Sequence, residues 1–150
     1  MKILVVNGPN LQLLGKREID VYGKISLKEI EERLTKKAST LNKHIELDFF
    51  QSNHEGDILD KISSSFIENY DGVIINPAAY THTSIAIYDA LKAIQLPVVE
   101  VHISNIYKRE EFRKHSVITA ACTGQITGLG IDGYELALQA LIKIIGKVVK

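Results

Sequence analysis

Apolar residues recur along the chain in two kinds of segment that alternate with each other. Short, nearly continuous apolar runs predict buried strands, and longer segments with an apolar residue at every third or fourth position predict amphipathic helices. The strands are predicted at residues 2–6, 45–50, 73–75 and 98–102, with a fifth inside 118–126. The helices are predicted to begin at residue 26 and to cover residues 56–69, 84–94 and 134–145.

The first two predicted helices show how the pattern assigns faces. Ser26 and Glu29 have the spacing of a capping box, with a hydroxyl at the N-cap and a carboxylate three residues later. Apolar residues then repeat at helical spacing over about four turns, at Leu27, Ile30, Leu34, Ala38 and Leu41. In the second helix the predicted buried face carries Ile58, Leu59, Ile62 and Phe66.

Strict alternation of strands and helices predicts a parallel sheet that is covered by helices on both faces. For five strands the default is the flavodoxin-like order 2-1-3-4-5, a three-layer α/β sandwich. The sequence contains no internal repeat or linker, so we expect a single catalytic or binding domain over residues 1–150. The binding crevice of such a fold lies beyond the carboxyl ends of strands one and three, with strand four beside it.

Composition excludes several classes of function. Eighteen basic and eighteen acidic residues cancel, so no basic field indicates a nucleic-acid partner. The only cysteine, Cys122, forms no disulfide framework and is predicted to be a small core residue. No signal-like segment and no apolar run of about eighteen residues occurs, which predicts a cytoplasmic globular protein without a membrane partner.

No motif indicates a metal or a cofactor. The histidines lack metal-ligand spacing and there is no carboxylate cluster. Residues 128–133 match G-x-G-x-x-G, but too few residues follow to complete a nucleotide-binding unit, so we interpret them as a tight turn between strand and helix. His54, at the end of the edge strand, is interpreted as a surface or helix-start residue away from the crevice.

Polar residues suited to chemistry follow the strands that border the predicted crevice. The connection after strand one is about fifteen residues long, and such long connections are often lids or binding loops. The candidates are Asn10, Arg17 and Tyr22 after strand one, Asn76 and His82 after strand three, and His102, Ser104, Arg109 and Arg113 from strand four onward. Arginines and amides suit an anionic, hydroxylated substrate, whereas tyrosine and histidine suit proton transfer. This combination predicts elimination, hydration or isomerisation of a small carboxylate-bearing molecule.

Glu100 and His102 lie two residues apart in the fourth strand and therefore point to the same face. A carboxylate inside an apolar strand needs a partner, and a hydrogen bond to His102 would favour the protonated imidazole. The pair could serve as an acid or could be purely structural. Two other classes of function stay open at this point: a non-catalytic module that binds an anion, and a serine hydrolase that uses Ser104.

Four motifs resemble one family. NGPNLQLLGKRE followed by YG, NPAAYTHTSIAIYDAL, VVEVHISN followed by REEFR, and GQITGLGIDGY resemble the type II 3-dehydroquinate dehydratases of the shikimate pathway. The similarity runs from residue 3 to about residue 140. It implies a flavodoxin-like fold, a dodecamer built as a tetramer of trimers, and cofactor-free anti elimination of water from 3-dehydroquinate to 3-dehydroshikimate through an enolate.

The resemblance also implies catalytic roles. Tyr22 corresponds to the base, which acts as tyrosinate on a C2 proton, and Arg17 to the arginine that favours this ionised form. Asn10 corresponds to the residue that holds a water against the enolate oxygen, and His102 to the acid for the departing C1 hydroxyl. One departure is that residues 19–20 are Ile-Asp where the family usually has proline after Arg-Glu, which implies a more flexible lid.

Further positions resemble the family's substrate contacts. The implied carboxylate site consists of Asn76, Ser104 and the backbone N–H groups of Ile103 and Ser104, and the implied hydroxyl contacts are Arg113 and His82. Asp89 corresponds to a residue that reaches in from a neighbouring subunit. Arg109 is a candidate by its position, and the sequence does not indicate which role it has.

Overall fold

The computed structural model describes residues 1–16, 25–42 and 44–148. In these ranges five strands alternate with four helices. The strands are β1 (Lys2–Asn7), β2 (Glu46–Gln51), β3 (Gly72–Asn76), β4 (Val98–His102) and β5 (Gly124–Thr127). The helices are α1 (Leu27–Leu41), α2 (Glu55–Ile67), α3 (Ile85–Ile94) and α4 (Asp132–Val148).

The five strands form one sheet in the order β2-β1-β3-β4-β5, and every neighbouring pair is parallel. This confirms the predicted flavodoxin-like arrangement. The register places Asn7 of β1 beside Asn76 of β3, and Glu100 of β4 beside Gln125 of β5. Because all strands run the same way, the loops that follow β1, β3 and β4 meet at one edge of the sheet.

Alternate side chains of β1 pack into two separate hydrophobic cores, one on each face of the sheet. Ile3 and Val5 pack in the core shared with α1 and α4, whereas Leu4 and Val6 pack in the core shared with α2 and α3. Both cores consist almost entirely of aliphatic side chains, which is why the central strands read as continuous apolar runs. The helices therefore cover both faces of the sheet, as predicted.

The capping pattern predicted at the start of α1 is confirmed, but two residues predicted to lie on buried helix faces, Leu41 and Phe66, are exposed. The capping box of α1 is present, with Glu29 N–H donating to Ser26 Oγ at 3.3 Å and Ser26 N–H donating to Glu29 Oε2 at 2.7 Å. The prediction that Leu41 belongs to the buried face is wrong: the buried stripe of α1 ends at Ala38, and Leu41 is 42% exposed. Phe66 is 65% exposed because the buried stripe of α2 continues from Ile62 to Ser65 instead.

The turn between β5 and α4 is tight, as predicted. Gly128 has a φ of +86°, and a Cβ atom there would lie 2.7 Å from Asn105 Cβ, so only glycine fits. Residues 119–121 form a short 3₁₀ turn before β5, so the strand occupies only the end of the predicted segment. In the described part of the chain, no helix combines the length and the apolar character that a membrane span requires.

Candidate active site

A cavity of about 240 Å³ lies at the carboxyl edge of the sheet. Most of its apolar lining residues belong to the loops after β1 and β3. Its polar lining residues belong to the same two loops, to the ends of β3 and β4, and to the loop after β4. Seven of the predicted site residues line it: Asn10, Asn76, His82, His102, Ile103, Ser104 and Arg113. Arg109 lines it as well. The topology thus brings together positions that are spread over about a hundred residues of sequence.

The loop after β1 is held close to the loop after β3. Gly8 N–H donates to Asn76 O at 2.8 Å, and a Cβ atom at Gly8 would lie 2.4 Å from Pro77 O. Asn10 follows in the left-handed region, with a φ of +68°, which asparagine tolerates better than most residues. A close backbone approach at Gly8 therefore places Asn10 at the cavity.

Asn53 supports this loop from the end of β2. Its Oδ1 accepts the Asn10 N–H at 2.8 Å, and its carbonyl accepts the Tyr80 hydroxyl at 2.8 Å. The sequence analysis placed the end of this edge strand, at His54, away from the crevice. Asn53 does not line the cavity, but it reaches the site indirectly through its hydrogen bond to the backbone of Asn10. His54 is exposed at the N-cap of α2, as predicted.

Asn76, at the end of β3, belongs to a buried chain of hydrogen bonds. Its Nδ2 donates to the Tyr134 hydroxyl at 2.8 Å, and that hydroxyl donates to Asn7 Oδ1 at 2.7 Å. Burial raises the pKa of Tyr134 well above its usual range, against the opposing hydrogen bond from Asn76, so the phenol stays neutral. Tyr134 therefore fixes the amide orientation of Asn76 from behind the cavity.

Glu100 and His102 form the predicted pair on one face of β4. Glu100 is fully buried, and its Oε1 lies 2.7 Å from His102 Nε2. Ser116 Oγ donates to Glu100 Oε1 at 2.9 Å, and Thr119 Oγ1 donates to Oε2. Burial raises the pKa of Glu100, but hydrogen bonds from His102, Thr119 and Ser116 outweigh this and hold the pKa below its ordinary value. The carboxylate is thus ionised, and Nδ1 is the imidazole nitrogen left for the cavity.

His82 faces the same cavity from the loop after β3. Its Nδ1 lies 2.8 Å from the carbonyl oxygen of His115, and a carbonyl only accepts, so Nδ1 carries a proton. Burial lowers the pKa of His82, and the nearby His102 and Arg113 add to this effect against the opposing His115 hydrogen bond. In the neutral ring Nε2 is therefore an acceptor, which suits a hydroxyl group of a substrate.

Two arginines give the cavity its positive side. Arg113 Nε lies 3.2 Å from Glu110 Oε2, and Arg109 Nε lies 3.6 Å from the same oxygen. Both guanidinium groups line the cavity while Glu110 orients them from its outer side. Such a pair suits an anionic or hydroxylated small molecule.

Among the predicted site residues that the structure describes, two do not line this cavity: Glu100, which contacts His102 instead, and Asp89. Asp89 is exposed on α3, outside the set of lining residues. Arg17 and Tyr22 lie outside the described residues, as do residues 19–20.

Sequence reasoning missed several residues that support the site. These are Asn53, Ser116, Thr119, Gln125 and Tyr134. Asn53 lies close to a strand end, but this position alone does not identify its partner, and the others carried no signal in the sequence pattern. Within the described ranges, no three His, Cys, Asp or Glu side chains cluster as metal ligands would.

Comparisons with known proteins agree over almost the whole chain. The family model described as Dehydroquinase class II matches residues 1–142. A curated 3-dehydroquinate dehydratase from Caldicellulosiruptor saccharolyticus is 59% identical over 145 residues, which cover 97% of this chain and 99% of the relative. One from Campylobacter jejuni is 53% identical over 144 residues, which cover 96% and 89%.

Solved structures give the same result. A type II dehydroquinase from Butyrivibrio crossotus matches with a TM-score of 0.91 and 47% identity, covering 95% of this chain and 97% of that one. A type II dehydroquinase from Propionibacterium acnes matches with a TM-score of 0.89 and 44% identity, covering 95% and 96%. The arrangement of the cavity and these full-length similarities lead to one conclusion: the chain belongs to the class II dehydroquinase family.

Proposed function

We propose that the cavity at the carboxyl edge of the sheet is where this chain eliminates water from 3-dehydroquinate to give 3-dehydroshikimate. The activity, that of a hydro-lyase of the shikimate pathway, follows from the family. The observation that carries the site assignment is the Glu100–His102 pair, because it places an imidazole with a buried carboxylate partner against a cavity lined by arginines and amides.

In this proposal His102 is the general acid. Hydroxide is a poor leaving group, so the C1 hydroxyl needs a proton as its bond to carbon breaks. Glu100 lies 2.7 Å from His102 Nε2 and favours the protonated ring. As the enolate collapses, its electrons restore the ketone and form the C1=C2 double bond, the C1–O bond breaks, and the Nδ1–H group donates its proton to the departing oxygen, which leaves as water.

In the first half of the reaction a base removes a proton from C2, the carbon next to the ketone. Following the family resemblance, we assign this step to Tyr22 as tyrosinate, with Arg17 stabilising the ionised phenol. The electrons of the C2–H bond move to the ketone oxygen and form the enolate. Asn10, which lines the cavity in a constrained left-handed conformation, holds a water against that oxygen.

The remaining contacts position the substrate. The carboxylate of 3-dehydroquinate binds Asn76, Ser104 and the backbone N–H groups of Ile103 and Ser104. Its hydroxyls contact Arg113 and the acceptor Nε2 of His82. The support for these assignments is that all five residues line one cavity and that Tyr134 holds the Asn76 amide in a single orientation. No cofactor takes part in the proposed mechanism.

The proposed enzyme is a cytoplasmic dodecamer, built as a tetramer of trimers, in which Asp89 serves a neighbouring site. The support is the exposed position of Asp89 on α3, apart from the cavity of its own chain. The single cysteine fits a location where no disulfide is required.

A direct test is to add 3-dehydroquinate to the purified protein and to follow the absorbance of the conjugated enone in the product. We expect steady formation of the enone, and a His102→Ala variant as the matched control should be slowed by about a hundredfold or more. An anion-binding module would bind the substrate without forming the enone. A hydrolase would act on ester substrates instead. Either result would contradict the proposal.

A further inference from the structure

We propose that Ser116 and Thr119 are positioning residues for catalysis: their hydroxyl groups keep Glu100 a carboxylate directed at His102 Nε2. The inference rests on the proposed function, because it concerns how the acid of that reaction is kept protonated. Neither hydroxyl lines the cavity, so both would act on the reaction only through Glu100.

The hydrogen bonds of Ser116 leave its proton only one destination. Its Oγ accepts the backbone N–H groups of Ile118 at 3.2 Å and of Thr119 at 3.1 Å. A hydroxyl oxygen has two acceptor positions, and both are then used. The hydroxyl proton must therefore be donated, and Glu100 Oε1 lies 2.9 Å away.

Thr119 is oriented by a different partner, Gln125. Its Oγ1 accepts a hydrogen bond from Gln125 Nε2 at 3.0 Å and donates to Glu100 Oε2. Gln125 stands beside Glu100 in the β4–β5 register, so the sheet itself fixes this donor. Both carboxylate oxygens thus receive a hydroxyl proton from an oriented donor.

These donors decide where the shared proton of the pair resides. Glu100 and His102 can exist as carboxylate and imidazolium, or as carboxylic acid and neutral imidazole, and only the first form supplies an acid to the substrate. A carboxylic acid would gain little from two hydroxyl donors, whereas a buried carboxylate needs them. Each donor therefore favours the catalytic form.

Other groups around Glu100 do not replace this effect. On the cavity side the nearby groups are His82, from the loop after β3, and Arg113, from the loop after β4. These groups are neutral or positive. Cys122, from the segment that carries Thr119, has its pKa raised to about 12 by burial and by the charge of Glu100, so it stays a thiol. The partner of Glu100 in β3 is Ile75, which is apolar. Ser116 and Thr119 remain the hydroxyl donors to this carboxylate among the described residues.

The test uses Thr119→Val, which keeps the shape and removes the hydroxyl, with Thr119→Ser to restore it. Thr123→Val is the matched control, because the Thr123 hydroxyl accepts the Val98 N–H at 3.2 Å instead of binding Glu100. We expect Thr119→Val to lower kcat by about tenfold to a hundredfold, the range for one hydrogen bond to a charged group, with KM nearly unchanged. The acidic limb of its kcat–pH profile should move to higher pH by about one unit.

A second measurement is independent of turnover. The imidazole ¹⁵N signals of His102 should show a protonated Nε2 in the wild type and in Thr119→Ser, and a shift towards an unprotonated Nε2 in Thr119→Val. If the wild type formed no enone, the proposed function would be wrong. The ¹⁵N signals would still show whether Thr119 controls the position of the proton between Glu100 and His102. If Thr119→Val fails to fold, Ser116→Ala takes its place. Wild-type ¹⁵N signals and an unchanged pH profile in a folded variant would overturn the inference.

Discussion

Replacing Glu100 by glutamine tests the acid assignment with the least structural disturbance. Glutamine has nearly the shape of glutamate, so its oxygen can still accept from Ser116 or Thr119, and its amide can donate to His102 Nε2. The side chain stays hydrogen-bonded, but the charge is lost. His102 then faces a neutral donor at Nε2, which favours the neutral ring.

The size of the effect follows from the distance between the two groups. Unit charges 2.7 Å apart at an effective dielectric of about 20 interact by about 6 kcal/mol in favour of the imidazolium. General acid catalysis contributes a factor of about 10² to 10⁴, which is about 3 to 5 kcal/mol. The attraction lost with the charge is larger than the free energy that acid catalysis contributes. Glu100→Gln should therefore lose almost all of the rate enhancement that the acid provides.

The assay is enone formation at several concentrations of 3-dehydroquinate. We expect kcat to fall by about 10² to 10⁴ and KM to stay within about tenfold, because Glu100 does not line the cavity. Glu111→Gln is the control, since Glu111 is exposed and its ion pair is with Lys114. If a correctly folded Glu100→Gln variant kept more than a tenth of the wild-type kcat, the carboxylate would not be needed to hold the acid protonated.

Three further predictions concern the base, the assembly and acid stability. Tyr22→Phe should lose several orders of magnitude in kcat and bind substrate within about tenfold of the wild type, and retention of a tenth of the turnover would refute its role. Verified mixed trimers of Asp89→Ala and Tyr22→Phe subunits, each crippled alone, should regain activity if sites are shared; mixed trimers as inactive as the parents would refute sharing. The pKa of Glu100 is lowered in the fold, despite burial, by its hydrogen-bond donors, so its stabilisation is present above the unfolded value of about 4.3 and is lost as the pH falls through the lower folded value. Chemical unfolding between neutral and acidic pH should therefore show a smaller loss of stability for Glu100→Gln than for the wild type, and equal losses would contradict this.

The sheet and the strand-end site residues were predictable because they follow from period and topology. Glu100 and His102 share a face because side chains alternate along a strand, and the structure confirms their contact at 2.7 Å. Asn10, Asn76 and His102 meet because the carboxyl ends of neighbouring parallel strands lie at one edge. Neither step requires knowledge of how any helix packs.

The supporting residues were not predictable because their partners depend on packing. Tyr134 reads in the sequence as an apolar residue at the start of a helix, and only the docking of α4 on the sheet brings its hydroxyl between Asn7 and Asn76. Thr119 fell in a segment predicted to contain a strand, but it lies in a 3₁₀ turn that folds over Glu100. An irregular segment carries no period from which its contacts could be inferred.

The position of Asp89 shows what the fold and the resemblance imply together. Helix α3 begins after Ser84, and Asp89 is five residues further along, which places it about 7 Å along the helix axis from that residue. His82 and Asn76 line the described cavity, whereas Asp89 does not. Ile85, on the first turn of the same helix, is 69% exposed in the single chain, so apolar and acidic groups of α3 both face outward. Under the proposed role, Asp89 contacts the substrate in the site of a second copy of the chain. The proposed role of Asp89 and the proposed assembly consequently stand or fall together, whereas the Glu100–His102 acid depends on neither.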